Sequence, residues 1–339
     1  MRLRIWIAVF LFIACAIAFV LFRPLTKNEK ASRIDLKDDL SVNELIRVLD
    51  EKNILSDGFW LGASAKGIGL KQVKAGSYVI QPKENLIQLL RRFHGHHQTP
   101  IKMVIGNERI RLRTPAQFAA KMQRMEYTRA DSAEWMNFLS SDDSLQPLGL
   151  NHHNVLTRMM PYTYEIYWTE SPHQVLKQLE KSWLRYWDNS KIEKAKKIGL
   201  SPTEVSILAS IVEEETQHAP DRTLIASTYL NRLRIGMRLQ ADPTAKFASG
   251  DLQAKRVTFA HLRTESPYNT YLVSGLPPGP ICLPSLSAIE AVLNAPQTDY
   301  LYFVASHRFD GTSVFSKDYQ QHLQYAKLYQ QELTRRTKK

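Results

Sequence analysis

The chain opens on a run that a soluble globular fold has little use for. Ile5 to Phe22 is 18 residues without a charge, preceded by Arg2 and Arg4 and followed by Arg23-Pro24. As an α-helix rising about 1.5 Å per residue it is roughly 27 Å long, close to the hydrocarbon thickness of a bilayer. A cleaved signal peptide, or a lipoprotein signal ending at Ala14-Cys15, would close the apolar region with small residues. Here Ile17, Phe19, Val20, Leu21 and Phe22 continue it past Cys15, which predicts an uncleaved anchor. The short tail, residues 1–4, predicts a small cytoplasmic end and an exported body, although Arg23, Lys27 and Lys30 partly offset Arg2 and Arg4.

The chain beyond the anchor has the composition of a folded protein. At 339 residues there is room for about two domains, and 44% hydrophobic with 23% charged residues excludes a disordered or fibrous polymer. The formal net charge of +12 favours an anionic partner: nucleic acid, an anionic membrane surface or an acidic polymer. No finger, helix-turn-helix or RNP-like signature accompanies that charge, and an exported body argues against genomic targets. Cys15 and Cys282 have neither zinc-site nor redox-pair spacing, so a disulfide framework is excluded. His94, His96, His97, His152 and His153 lie in polar stretches without a carboxylate or cysteine at ligand spacing, and are read as loop histidines rather than a metal site.

Residues 23–33 are polar and read as a linker. Residues 34–105 read as a small α+β module. Ser41-Val-Asn-Glu-Leu-Ile-Arg-Val-Leu49 and Pro82-Lys-Glu-Asn-Leu-Ile-Gln-Leu-Leu90 each have a cap-like start before an apolar helical face. Between them, Lys74-Ala-Gly-Ser-Tyr-Val-Ile80 is a glycine turn followed by a strand pattern, and Ile101 to Ile105 is a second strand. Residues 106–154 read as a helical connection and loop, with a helical pattern from Thr114 to about Asn137. A larger domain is expected over 155–334, before a basic tail at 335–339.

The most informative segment starts at Ser201-Pro202-Thr203-Glu204, where serine caps, proline suits the first turn and a glutamate stands three after the cap. At about 100° per residue from Leu208, Ile211 lies near 300°, Val212 near 40° and Glu215 near 340°, while Glu213 falls near 140° and Glu214 near 240°. Of three consecutive acids, Glu215 alone shares the apolar face. A carboxyl held there keeps its proton to higher pH and can act as a general acid. The alternative is a helix that ends before Glu215, leaving all three acids solvated.

Downstream, a helix ending at Gly236 leads into a polar turn containing Gln240, Asp242 and Thr244. A Tyr268-Asn269-Thr270-Tyr271 segment and a rigid Gly275-Leu-Pro-Pro-Gly-Pro-Ile281 loop come next. Aromatic faces stack on sugar rings and amides read hydroxyls, so these pieces can wall a groove for a sugar polymer. They serve equally as core helix, turn and linker.

Taken together, Ala209-Ser-Ile-Val-Glu-Glu-Glu-Thr216, Asn231-Arg-Leu-Arg-Ile-Gly-Met-Arg-Leu-Gln240, Asp242-Pro-Thr244, Tyr268-Asn-Thr-Tyr271 and the Pro-Gly loop resemble the signature of the endolytic murein transglycosylases, the YceG-like family. The order of parts is similar too, with a membrane anchor, a LysM-like module carrying Lys-Ala-Gly-x-Tyr, and a catalytic domain. The resemblance implies an α+β chain made of an N-terminal transmembrane helix, a small LysM-like α+β module and a larger mixed α+β YceG-like catalytic domain. It also implies a single pass in the bacterial cytoplasmic membrane, with the catalytic domain on the periplasmic side.

The family's catalytic glutamate falls on Glu215. Gln240, Asp242, Thr244, Tyr268, Asn269, Tyr271, Pro278 and Gly279 are expected to bind substrate, with Gln240 and Asn269 orienting the sugar. No metal and no cofactor are implied. The implied partners are peptidoglycan glycan strands and penicillin-binding protein synthases, with no nucleic acid. The chain departs from the family pattern at Tyr162, Asp221, Leu283, Ser285 and Ser313, which puts secondary contacts there in question.

The implied reaction cuts the β-1,4 bond between N-acetylmuramic acid and N-acetylglucosamine and leaves a 1,6-anhydromuramoyl end. Glycoside hydrolysis ordinarily needs two carboxyls. Here the attacking oxygen is the sugar's own O6, already tethered to the reacting ring, so one carboxyl can protonate the leaving oxygen and then take the O6 proton. A noncatalytic peptidoglycan-binding scaffold and a hydrolytic muramidase are the competing readings.

Overall fold

The computed structural model describes residues 2–106, 112–254 and 256–338. The first residue of the expected tail, 107–111 of the expected connection, and Lys339 of the basic tail lie outside the described residues. The chain is mixed α/β with an apolar N-terminal helix and divides into two compact units.

The smaller unit comprises Met1–Met103 with the short returns Met125–Ala130 and Glu165–Ser171. It begins with α1 (Arg2–Phe22), whose apolar stretch Leu3–Phe22 is long enough to cross a bilayer and is exposed from Leu3 to Phe19. Then come β1 (Ser32–Leu36), β2 (Leu40–Ser41), α2 (Val42–Glu51), α3 (Phe59–Gly67), β3 (Gln72–Val73), β4 (Gly76–Ile80) and α4 (Leu86–His94). β1 and β4 are antiparallel with Ser32 opposite Ile80 and Leu36 opposite Gly76, and β2 pairs with β3. Both repeated helix starts form. Ser41 and Glu44 make a reciprocal capping box on α2, and Asn85 with Gln88 makes one on α4, so the second cap is Asn85 rather than Pro82. Ile34, Leu45, Leu49, Leu61, Tyr78, Leu89 and Phe93 form the core between them.

The expected linker at 23–33 is corrected. Leu25 is only 1% exposed and belongs to that core, its N–H donating to the Glu84 carbonyl at 2.7 Å and its carbonyl accepting from Ser56 at 3.0 Å. Val20 and Leu21, from the last turn of α1, pack against the same core. A stretch that is polar on average therefore holds an apolar residue that fixes the chain just after α1 to the small unit.

The larger unit comprises Val104–Arg124, Asp131–Tyr164 and Pro172–Lys339. Strands β5 (Ile101–Val104) and β6 (Thr163–Ile166) lie where the chain passes between units. Helices α5 (Pro115–Arg124), α6 (Ser132–Ser140) and α7 (Asp142–Leu145) replace the single helical pattern expected from Thr114 to Asn137. The segment 106–154, expected to be a connection, belongs largely to this unit. Phe118 and Trp135 meet edge to face at 5.4 Å, and the Lys121 ammonium binds the Val104 carbonyl at 2.5 Å, so these helices carry core contacts of their own.

Beyond them lie α8 (Pro172–Tyr186), α9 (Asn189–Lys197), α10 (Pro202–Glu215), α11 (Ala219–Arg234), α12 (Asp242–Ser249), α13 (Phe259–Leu262) and α14 (Leu286–Leu293), then a β7 (Tyr302–Ala305) and β8 (Ser313–Ser316) hairpin and α15 (Tyr319–Thr337). The core gathers Trp183, Trp187, Leu208, Ile211, Val212, Tyr229, Ile281, Ile289 and Val292 around α10.

Candidate active site

Helix α10 starts as its sequence dictates. Ser201 caps it, the Glu204 carboxylate accepts the Ser201 N–H at 2.7 Å, and Pro202 occupies the first turn. The helix runs through Glu215 and stops at Thr216, which is extended. The alternative in which it ends before Glu215 does not hold.

The one-faced picture of this helix does not hold either. Every residue from Val205 to Glu213 is buried, as befits a helix enclosed on all sides rather than lying on a surface. Glu213, expected off the apolar face, is 3% exposed. Its helical phase is as expected, but the opposite face meets protein as well. Charge makes this burial tolerable. Arg222 of α11 donates to Glu213 Oε1 at 3.2 Å, and Ser285 donates to Oε2 through both its hydroxyl and its N–H, the latter at 3.2 Å. Arg222 also reaches Ser287 at 2.9 Å. Glu214 turns the third way and pairs with Arg113 at 2.7 Å. The three acids thus have three separate environments.

Glu215 is half-buried, and its Oε1 accepts a 2.5 Å hydrogen bond from the Tyr229 hydroxyl of α11. Desolvation pushes this carboxyl up from 4.5 to about 7; the Tyr229 hydrogen bond and the Arg232 and Lys246 cations oppose the shift, while the Asp242 charge adds to it. Tyr229 itself is 1% exposed, edge to face with Phe303 at 5.7 Å, and burial raises its phenol well above the ordinary range. Its hydroxyl is therefore a fixed donor aimed at Glu215. Sequence reasoning did not single out Tyr229. The one signal was a polar-tipped aromatic on the helix after Glu215, and which face of α11 meets α10 is a tertiary fact.

The Gln/Asp/Thr segment, expected as a turn, is the start of α12, with Asp242 in the first turn and Pro243 beside it. Asp242 is exposed and accepts the Tyr271 hydroxyl at 2.6 Å. Gln240 is exposed too, with its backbone in the left-handed region at φ 48° and its N–H donating to the Thr270 carbonyl at 3.1 Å. Glu215, Tyr229, Asp242 and Tyr271 therefore form one cluster.

Thr244 and Asn269 do not join it. Both were expected to touch substrate, and both are fully buried. Thr244 bonds the Ala241 carbonyl at 2.6 Å and meets the Thr270 hydroxyl at 2.8 Å, clamping the two motifs to each other. The Asn269 amide nitrogen lies 2.9 to 3.3 Å from the carbonyls of Thr264, Leu262 and His261 and holds the preceding loop.

Tyr268 packs on Phe247 at 4.9 Å between ring centres, with its hydroxyl 3.4 Å from His153 Nδ1. Gly279 is required where it stands, since a Cβ there would sit 1.9 Å from the His153 carbonyl oxygen. Pro278 is half-buried beside it. Two residues on, Ile281 donates its N–H to Ser210 Oγ at 3.0 Å, which pins the Pro-Gly loop to α10. The histidine pairs have ordinary partners: His152 binds Asp142 at 2.9 Å, and His94, His96 and His97 are exposed.

Two positions that depart from the family pattern, Asp221 and Ser313, contact each other, and two more, Ser285 and Leu283, have other partners. Asp221 accepts the Ser313 N–H at 2.5 Å and His218 Nδ1 at 3.0 Å, Ser285 serves Glu213, and the Leu283 N–H donates to the Leu112 carbonyl at 2.7 Å. Tyr162 packs at the margin of the core.

The chain is 28% identical over 318 residues to the endolytic murein transglycosylase of Bacillus subtilis (strain 168), covering 89% of this chain and 86% of that protein. It is 26% identical over 317 residues to the endolytic murein transglycosylase of Streptococcus pneumoniae (serotype 2, strain D39), covering 83% of this chain but only 56% of the longer pneumococcal protein. A crystal structure of a yceG-like protein from Listeria monocytogenes superposes with a TM-score of 0.55 at 25% identity, covering 88% of this chain and 99% of that one. The sequence model of the YceG-like family matches residues 34–328, from the first strand of the small unit to the last helix, and this chain belongs to that family.

Proposed function

We propose that the protein is a membrane-anchored endolytic murein transglycosylase that cuts the β-1,4 bond between N-acetylmuramic acid and N-acetylglucosamine in nascent glycan strands. The observation that carries this reading is the geometry at Glu215: its carboxyl stands at the end of a buried helix and accepts the buried Tyr229 hydroxyl at 2.5 Å, where desolvation pushes it up to about 7. A carboxyl balanced between its two forms near neutrality can give a proton to the leaving oxygen and then accept one from O6. The O6 attack closes the 1,6-anhydro ring, breaks the glycosidic bond and consumes no water. Asp242, held by Tyr271, contributes negative charge beside the developing oxocarbenium ion. Gln240, Tyr268 and Tyr271 line the approach.

On this reading α1 holds the chain in the cytoplasmic membrane with the catalytic unit outside. The small unit is a LysM-like glycan-binding module, and the penicillin-binding synthases implied by the family resemblance supply the strands. Mass spectrometry of digested, uncrosslinked glycan tests the activity. Anhydromuramoyl ends are the expected products; reducing ends would mean a muramidase, and intact glycan a scaffold.

The pH dependence carries a sign. The reaction begins with a protonated Glu215, so kcat/KM falls as pH rises through about 7. Because the folded value lies above the ordinary 4.5, the folded state holds this proton more tightly than the unfolded chain. Its contribution to stability is complete below about 4.5 and is lost as pH rises through about 7.

Tyr229→Phe removes a donor that favours the carboxylate. A charge-assisted hydrogen bond is worth about 1.5–3 kcal/mol, so the basic limb should move up by roughly one to two pH units, with a lower kcat. A basic limb that stays in place would show that Tyr229 does not act on Glu215.

A further inference from the structure

The small unit turns the ring of Phe59 outward at the start of α3. Phe59, the first residue of α3, is 69% exposed. The backbone behind it is pressed tightly onto α2, since a Cβ on Gly58 would lie 2.5 Å from Ile46 Cγ2. Trp60 lies half-buried on the core and meets Phe59 edge to face at 5.3 Å. The ring is therefore rigidly supported and turned outward.

Its depth is set by the chain's own hydrogen bonds. Arg23 closes the apolar span, its guanidinium 5.8 Å from the centre of the Phe19 ring, and an arginine at that position marks the headgroup level of a bilayer. The same guanidinium binds Asp57 Oδ2 at 3.2 Å, and Asp57 Oδ1 accepts the Phe59 N–H at 2.9 Å. Val20 and Leu21 of the last helical turn pack on the module's core, and Pro24 bridges to Asn85 at the start of α4. Two hydrogen bonds thus separate the end of the span from the start of α3, whatever the tilt of α1.

We infer that Phe59, backed by Trp60, is an interfacial membrane anchor: its ring inserts at the headgroup–acyl boundary of the leaflet where α1 ends and seats the small unit against the bilayer. This is the chemistry of aromatic belts, in which a ring sits at the boundary while its backbone stays hydrated. The occupant of the patch is lipid, because the Arg23–Asp57–Phe59 hydrogen bonds tie the ring to the end of the span. The inference rests on the reading of α1 as a membrane span.

The test uses the full chain in phosphatidylethanolamine–phosphatidylglycerol vesicles, carrying Cys15→Ala, with buried Cys282 left in place. A nitroxide label is attached in turn to Phe12→Cys, Phe59→Cys and Asp38→Cys. Asp38 is exposed in the turn at the far end of β1, about 17 Å of strand from Ser32. Collision rates with oxygen and with a water-soluble nickel chelate are compared, and circular dichroism checks each fold.

The expected result is an oxygen-to-nickel ratio at position 59 severalfold above that at 38 and below that at 12. A position 59 that matches 38 while 12 remains in lipid overturns the anchor, as does a label at 59 shielded from both reagents, which would mean a protein contact. A label at 12 open to the nickel chelate would instead overturn the span, and the inference with it.

Discussion

Glu215→Gln is expected to lower glycan cleavage by about 10²–10⁴-fold, the usual range for losing a general acid–base group, while leaving the fold intact. The amide keeps the volume of the carboxyl and can still accept the Tyr229 hydroxyl, but cannot deliver a proton. Because the wild-type carboxyl is desolvated, the variant should be no less stable above pH 7, where the native protein carries an unfavourably buried charge. Product yield by mass spectrometry and thermal melting at pH 8 measure the two halves. Glu214→Gln, which weakens the pair with Arg113, should retain most activity. Equal losses in the two variants would remove the special role assigned to Glu215.

The largest effect on stability is expected at Arg222. Arg222→Met withdraws the guanidinium from a carboxylate that is 3% exposed, leaving Glu213 with its bonds from Ser285 and its other contacts, but without a cation at 3.2 Å. Breaking a buried pair from one side costs about 3–5 kcal/mol, because the remaining charge stays desolvated. Urea unfolding should show that loss, and the double variant with Glu213→Gln should recover most of it. A single variant within about 1 kcal/mol of wild type would mean that the carboxylate is neutralised some other way. This buried pair also changes what Glu213→Gln can report. Taken from helical phase alone, Glu213 is a silent control; in the folded protein it is part of the core, so its activity has to be normalised to the folded fraction.

Much of this was legible in the chain because it is local. The cap and proline that start α10, the capping boxes of α2 and α4, the strand after Gly76 and the apolar span each arise from a few adjacent residues. What sequence could not supply was the other side of each contact. The apolar face around Leu208 is present in the fold, yet the opposite face meets α11 and α14 rather than water, and that moves Glu213 into the core. Thr244 and Asn269 carry groups that suit sugar recognition, but the nearest donors and acceptors are Thr270 and three loop carbonyls, so folding uses them first. Leu25 was hidden by averaging over a polar segment. Tyr229 emerged only when α11 was laid beside α10, although its proximity to Glu215 decides how that carboxyl titrates.

The central claim is that one carboxyl suffices because the substrate brings its own nucleophile. A glycan whose muramoyl residues lack the C6 hydroxyl tests it most directly, with a 6-O-acetylated glycan alongside to separate loss of the oxygen from added bulk. The 6-deoxy substrate should bind like the natural strand and resist cleavage, since the tethered attack that replaces water has been removed. Efficient cutting of the 6-deoxy glycan to a reducing end would contradict the account and require a second acid, for which Asp242, bound by Tyr271 in the same cluster, is the first residue to substitute.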